Sequence, residues 1–162
     1  MKQEPIEPPK EGQESVWDYP HPPRVEESHK HVQIVFNGVV IADTRRAKRV
    51  LERGHPPSYY IPTEDIQAGY LIPRHSTSLC EWKGTAHYYG LMVGDKQVPV
   101  AAWYYIDPQP PFEATKMHLA FYAALMDACT VDGELVQPEP GSFYGGWITN
   151  DVVGPFKGES GG

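Results

Sequence analysis

A chain of 162 residues with a formal charge of −7 lacks the clustered Lys and Arg that a phosphate backbone requires, so nucleic acid is not an expected partner. Its length suits one domain around one core, its 40% hydrophobic content is that of a globular chain, and 17 Pro with 15 Gly disfavour long helices. No run approaches the roughly 18 consecutive apolar residues of a bilayer span; the start, Met1-Lys2-Gln3-Glu4, has no apolar signal region and two cysteines give no disulfide framework, so a cytoplasmic protein without a membrane partner is expected.

In chain order, residues 1–15 are rich in Glu, Pro and Lys and have little to bury, which predicts a flexible tail or an arm laid on the body. Tyr19-Pro20-His21-Pro22-Pro23 disfavours helix and predicts an extended stretch, because its prolines lack amide protons and restrict the residues before them. Val32-Gln33-Ile34-Val35-Phe36, Asn37-Gly38 and Val39-Val40-Ile41-Ala42 spell a hairpin, since Asn-Gly supplies the positive φ pair of a two-residue turn. Asp43 or Thr44 is placed to cap a short helix over residues 45–53 that ends before Gly54, with the basic run Arg45-Arg46-Ala47-Lys48-Arg49 on its exposed face. Ser58-Tyr59-Tyr60-Ile61 reads as a strand closed by Pro62, followed by a turn that Thr63 caps and in which Asp65 is structural.

Strands are then expected at Tyr70-Leu71-Ile72, around Cys80, over residues 85–91 and over residues 98–106, with Gly94-Asp95 at a hairpin tip. Residues 114–127 have the Ala, Leu and Met content of a helix, yet Leu119, Phe121 and Ala123 also alternate as a strand would. Asp132-Gly133 marks one more hairpin. The last stretch is rich in Pro and Gly but carries Phe143, Tyr144 and Trp147, so part of it should pack on the body. The fold class is mainly β: a compact, strongly twisted antiparallel domain with one or two short helices.

Six blocks carry a family resemblance. They are Glu14-Ser15-Val16-Trp17-Asp18-Tyr19-Pro20, Gly38-Val39-Val40-Ile41-Ala42-Asp43-Thr44, Pro57-Ser58-Tyr59-Tyr60-Ile61-Pro62, Ser78-Leu79-Cys80-Glu81-Trp82-Lys83-Gly84, Ala102-Trp103-Tyr104-Tyr105 and His118-Leu119-Ala120-Phe121-Tyr122. In this order they resemble the family called domain of unknown function 427, also filed as nucleotidyltransferase family 9. The resemblance implies a tent-like or half-barrel, Mss4-like β fold over residues 16–158, with residues 159–162 as a short tail and a strand through residues 118–122. Zinc proteins of that fold group use paired Cys-x-x-Cys knuckles, which this sequence lacks. The transferase label implies a nucleotide substrate, but Gly141-Ser142 is followed by Phe143-Tyr144 rather than by an Asp-x-Asp pair.

The densest chemistry lies in residues 78–84. Cys80, Glu81 and Lys83 are the candidate catalytic groups: a nearby ammonium stabilises a thiolate, and Gly84 lets the backbone come close to a ligand. Strand spacing puts Cys80 and Lys83 on opposite faces, so their pairing needs a bulge; a buried Cys80 acting as a small hydrophobe is the competing reading. Ten Tyr and four Trp against five Phe means that most aromatics bring a polar handle. Tyr60, Trp82, Lys83, Trp103, Tyr104, His118 and Tyr122 are therefore taken as ligand-binding candidates, although aromatics at strand spacing also build ordinary sheet core.

His87 and His118 sit in apolar strand patterns, which suits hydrogen-bonded structural histidines; either serves as acid or base only beside Glu81 or Lys83. His29 and His31 share one strand face, but two ligands close no metal site; no metal and no cofactor are expected. The leading function is an aromatic pocket for a small molecule, with an anionic or nucleotide-like ligand as one case. A protein-interaction or homodimerisation module is the alternative, and a nucleotidyltransferase, which would need Glu81 with Asp65 or Asp107 on magnesium, ranks third.

Overall fold

Tight turns organise the chain. The computed structural model describes residues 8–80, 83–140 and 145–156. Its strands, in chain order, are β1 (Glu14–Ser15), β2 (Arg24–Glu27), β3 (Val32–Phe36), β4 (Val39–Thr44), β5 (Lys48–Leu51), β6 (Ser58–Pro62), β7 (Leu71–Cys80) and β8 (Gly84–Val93). They continue with β9 (Lys96–Tyr105), β10 (His118–Phe121), β11 (Ala128–Val131), β12 (Glu134–Leu135), β13 (Gln137–Pro138), β14 (Trp147–Ile148) and β15 (Val152–Val153). Asn37 and Gly38 (φ 48° and 77°) turn β3 into β4, and Asp132 and Gly133 (φ 49° and 81°) turn β11 into β12. These are the left-handed conformations that the two dipeptides favour.

Two sheets make the body. One has seven strands in the order β2-β5-β6-β10-β9-β8-β7, the other four in the order β12-β11-β3-β4. Both are antiparallel, and among the described residues neither closes into a barrel. The short β13-β14 pair is antiparallel, and β1-β15 is parallel. Helical geometry among the described residues is confined to five 3₁₀ turns: Val16–Asp18, Thr63–Asp65, Ala68–Tyr70, Glu113–Thr115 and Ala123–Leu125. None is long and apolar enough to cross a membrane.

Alternation sorts the strand residues. Tyr59, Ile61, Leu119 and Phe121 of the larger sheet pack with Val32, Ile34, Phe36, Ile41, Cys129 and Val131 of the smaller one, forming the main core. Each such large apolar side chain, fully buried, contributes about 1.5–3 kcal/mol. On the other face of the larger sheet Val50, Tyr60, Ala86, Trp103, Tyr105 and Ala120 form a second cluster with Phe112. A third, formed by Val16, Tyr19, Leu51, Val152 and Phe156, lies where β1 meets β15.

The expected helix over residues 45–53 is instead the strand β5, lying between β2 and β6. Cross-strand charge explains the difference. Glu26 is in register with Arg49 and Glu27 with Lys48, and both pairs close, at 2.5 and 3.0 Å. Arg49, only 9% exposed, also reaches Glu14 at 3.2 Å, so two carboxylates offset the desolvation of its guanidinium. The expected capping groups serve elsewhere: Asp43 binds His31 and Gln33, and the Thr44 hydroxyl donates to Asp65. The ambiguous segment resolves as the strand β10 followed by the Ala123–Leu125 turn.

Candidate functional site

The second face of the larger sheet carries a cavity of about 260 Å³. Its floor follows from strand register, because cross-strand partners share a face. Val50 pairs with Ser58, Ser78 with Ala86, Ala86 with Tyr105 and Tyr88 with Trp103, and all seven residues line the cavity. Five strands, β5 to β9, thus contribute one surface. Loops build the walls: Glu52, His55 and Pro56 follow β5, Lys83 precedes β8, Tyr122 follows β10, Glu139 follows β13, and Gly145 and Gly146 precede β14.

Trp103 is fixed from several sides. Its indole N–H donates to the Tyr60 hydroxyl at 2.9 Å, and its ring lies 4.6 Å from that of Tyr122. A Cβ on Gly145 would fall 2.1 Å from Trp103 Cη2, so the glycine lets the 145–146 segment close over the indole. Burial, reinforced by Tyr88 and Tyr60, pushes the Tyr122 hydroxyl up to about 12, so it remains a neutral donor at physiological pH. Ser78 Oγ and the Tyr88 hydroxyl are 2.5 Å apart. The Lys83 carbonyl accepts from the Gln109 N–H at 2.9 Å, tying the start of β8 to the loop after β9.

One wall is charged. The Glu139 carboxylate is 2% exposed and lies 2.6 Å from His55 Nδ1. The Glu139 N–H donates to the Gly146 carbonyl at 2.9 Å, and a Cβ on Gly146 would fall 2.8 Å from Glu139 Oε1 and 2.6 Å from the Pro56 carbonyl oxygen. The 145–146 segment therefore packs against both the indole and the buried carboxylate.

Of the ligand-binding candidates, Lys83, Trp103 and Tyr122 line the cavity, and Tyr60 supports it from beneath, fully buried. Tyr104 does not: one position along β9 from Trp103, it points to the other face and stacks on Tyr89 at 4.9 Å, beside His87 at 5.5 Å. His118 is in register with Pro62 at the far end of β6 and bonds to the Lys116 carbonyl oxygen through Nδ1; burial lowers its proton affinity. Trp82 and Glu81 lie outside the described residues, as does the side chain of Cys80, whose backbone ends β7 opposite Gly84. Asp65 accepts from Thr44 and pairs with Arg46, as a structural residue would. His55 and Glu139 were not singled out in the sequence. The one signal for His55 is the Pro-Pro pair after it, and Glu139 looks like any acidic residue of a Pro-rich loop.

The chain is a two-sheet β protein whose larger sheet carries on its second face a cavity with Tyr88, Trp103, Tyr105 and Tyr122 among its lining residues. The chain belongs to the family described as domain of unknown function (DUF427), whose model, labelled NTP_transf_9, matches residues 24–132. No curated protein matches it.

Proposed function

We propose that the protein binds a small, flat molecule bearing an anionic group in the pocket between Trp103, Tyr122, Lys83 and His55. The observation that carries this reading is the lining. Four strands, β6 to β9, place the hydroxyls of Ser58, Ser78, Tyr88 and Tyr105 and the Trp103 indole on one surface, and Lys83, His55 and Glu139 sit in its walls. Pockets of this kind bind by apolar area and orient by a few polar contacts. A ring against Trp103 and Tyr122 takes up the flat part, the Tyr122 and Tyr88 hydroxyls offer hydrogen bonds, and the Lys83 ammonium is the anion contact. Nucleotide-like molecules fall within this class, in keeping with the family's label. We place the protein in the cytoplasm, where the buried Cys129 thiol stays reduced.

Native mass spectrometry of the protein purified directly from its host, compared with the denatured sample, tests the reading. A small bound mass that is lost in Lys83→Ala and Trp103→Ala, with folding intact, supports it. A bare protein that takes up nothing from a metabolite extract counts against it.

A second reading rests on β7. Among the described residues it is a ten-residue edge strand bonded to β8 alone, and its Leu79 is 83% exposed. Such an edge can pair with a second copy of the chain. A strict monomer across a size-exclusion dilution series removes this version.

A further inference from the structure

We infer that Glu52 decides which ring the pocket takes: one whose edge carries two adjacent N–H donors, as guanine does, with Glu52 accepting from both. This inference rests on the pocket being a ligand site and names the ligand class of that site. Strand register orders the lining around Trp103. To one side, Tyr88 pairs with Trp103 and Ala86 with Tyr105, on the way to Lys83 at the start of β8. To the other side, Ala120 of β10 joins Trp103 to Tyr60, and two positions back along β6 Ser58 pairs with Val50. Glu52 follows Val50 by two residues, so the two share a face, and both line the cavity. The cavity therefore has a carboxylate end, an aromatic middle formed by Trp103 and Tyr122, and an ammonium end at Lys83.

The lining holds two carboxylates, and they are not equivalent. Glu139 is bound to His55 at 2.6 Å. Glu52 is half-buried, and among the described residues its carboxylate makes no hydrogen bond or ion pair. The same holds for the hydroxyl of Tyr122, which keeps its proton and is a donor. A carboxylate offers two acceptor oxygens side by side, which matches a pair of N–H groups on neighbouring atoms of a flat ring. A carbonyl oxygen on that same edge suits the Tyr122 hydroxyl. An adenine-type edge has the opposite pattern: its ring-nitrogen lone pair would face the carboxylate, and its amine would face a donor, so it is rejected. The anionic group of the ligand then points away from Glu52 and toward Lys83, which fixes the direction in which the molecule lies.

The probes are guanosine monophosphate and inosine monophosphate, which are identical except that the second lacks the exocyclic amine. Calorimetry on the full chain compares their affinities. The wild-type protein is expected to bind the guanosine form at least about tenfold more tightly, as a hydrogen bond to a charged group implies. Glu52→Gln keeps the size of the side chain but only one of its two acceptors, and is expected to bind both nucleotides with the affinity of the inosine form. Equal binding of the two by the wild type, or a preference that survives in Glu52→Gln, overturns the inference and leaves the pocket standing. Binding of neither overturns the inference as well, and the pocket reading falls with it only if native mass spectrometry also finds a bare protein. If circular dichroism shows that Glu52→Gln is not folded, Glu52→Ala supplies the same contrast.

Discussion

The indole N–H of Trp103 donates to the Tyr60 hydroxyl at 2.9 Å, the two rings standing edge to face at 85° with centroids 6.1 Å apart. The strands β9 and β6 are not bonded to each other directly, since β10 lies between them. Ala120 is the residue of β10 in register with both Tyr60 and Trp103, and its small side chain lets the two large ones meet above it. Tyr60→Phe removes the acceptor from an indole that is 9% exposed and is expected to cost about 1–3 kcal/mol. Chemical denaturation with an unchanged slope checks this value.

Gly145→Ala separates site from fold. The added methyl would lie 2.1 Å from Trp103 Cη2 and 2.7 Å from Cζ3, so the indole or the 145–146 segment has to move. Because the segment belongs to the pocket wall and not to either main sheet, ligand affinity is expected to fall by at least about tenfold, equivalent to about 1.4 kcal/mol. Calorimetry with the ligand found by mass spectrometry measures it, and near-ultraviolet circular dichroism reports the displaced indole.

Gly90→Ala is expected to act on the fold instead. Gly90 sits where the β8-β9 register shifts between Tyr89 and Leu91, and a Cβ there would lie 2.6 Å from the Pro99 carbonyl oxygen and 2.9 Å from that of Val98. Both obstacles are backbone, so relief requires moving a strand. A loss of about 1–3 kcal/mol is expected, as for other overpacked sites, and thermal or denaturant unfolding reads it.

Much of the fold is legible in the sequence wherever turn chemistry is local. Asn37-Gly38, Gly94-Asp95 and Asp132-Gly133 each mark a hairpin that forms. The basic run was not legible as a strand, because what stabilises Lys48 and Arg49 there is a pair of glutamates some twenty residues away, with Glu14 further off. The site was half legible. Aromatic content pointed to a pocket, but in the doublets Tyr59-Tyr60 and Trp103-Tyr104 a strand sends neighbours to opposite faces. Tyr59 stacks on Trp147 at 5.1 Å within the main core, and Tyr104 lies on the face away from the pocket. His55 and Glu139 are 84 residues apart and meet where Gly146 packs against Pro56 and Glu139. No local pattern encodes such a contact.

Acid should weaken the protein partly through Asp65. The Thr44 hydroxyl, donating at 2.6 Å, and then Arg46 hold this carboxyl below the usual carboxylate range. The folded state therefore keeps Asp65 ionised where the unfolded chain already takes up a proton. Its contribution is fully present above the unfolded value of about 4 and is lost as pH falls through the lower folded value. Asp65→Asn is expected to lower the melting temperature at neutral pH and to flatten the acid limb of the melting-temperature profile. An acid limb parallel to that of the wild type would remove Asp65 from the explanation.

The central claim is that the second face of the larger sheet is a ligand site, and amide chemical-shift mapping during titration with a host metabolite extract tests it most directly. The account predicts that the shifts concentrate on Val50, Ser58, Ala86, Tyr88, Trp103 and Gly146, which come from four strands and a loop and all line the pocket. Shifts confined to residues 71–79 of the β7 edge, or none at all, would contradict it.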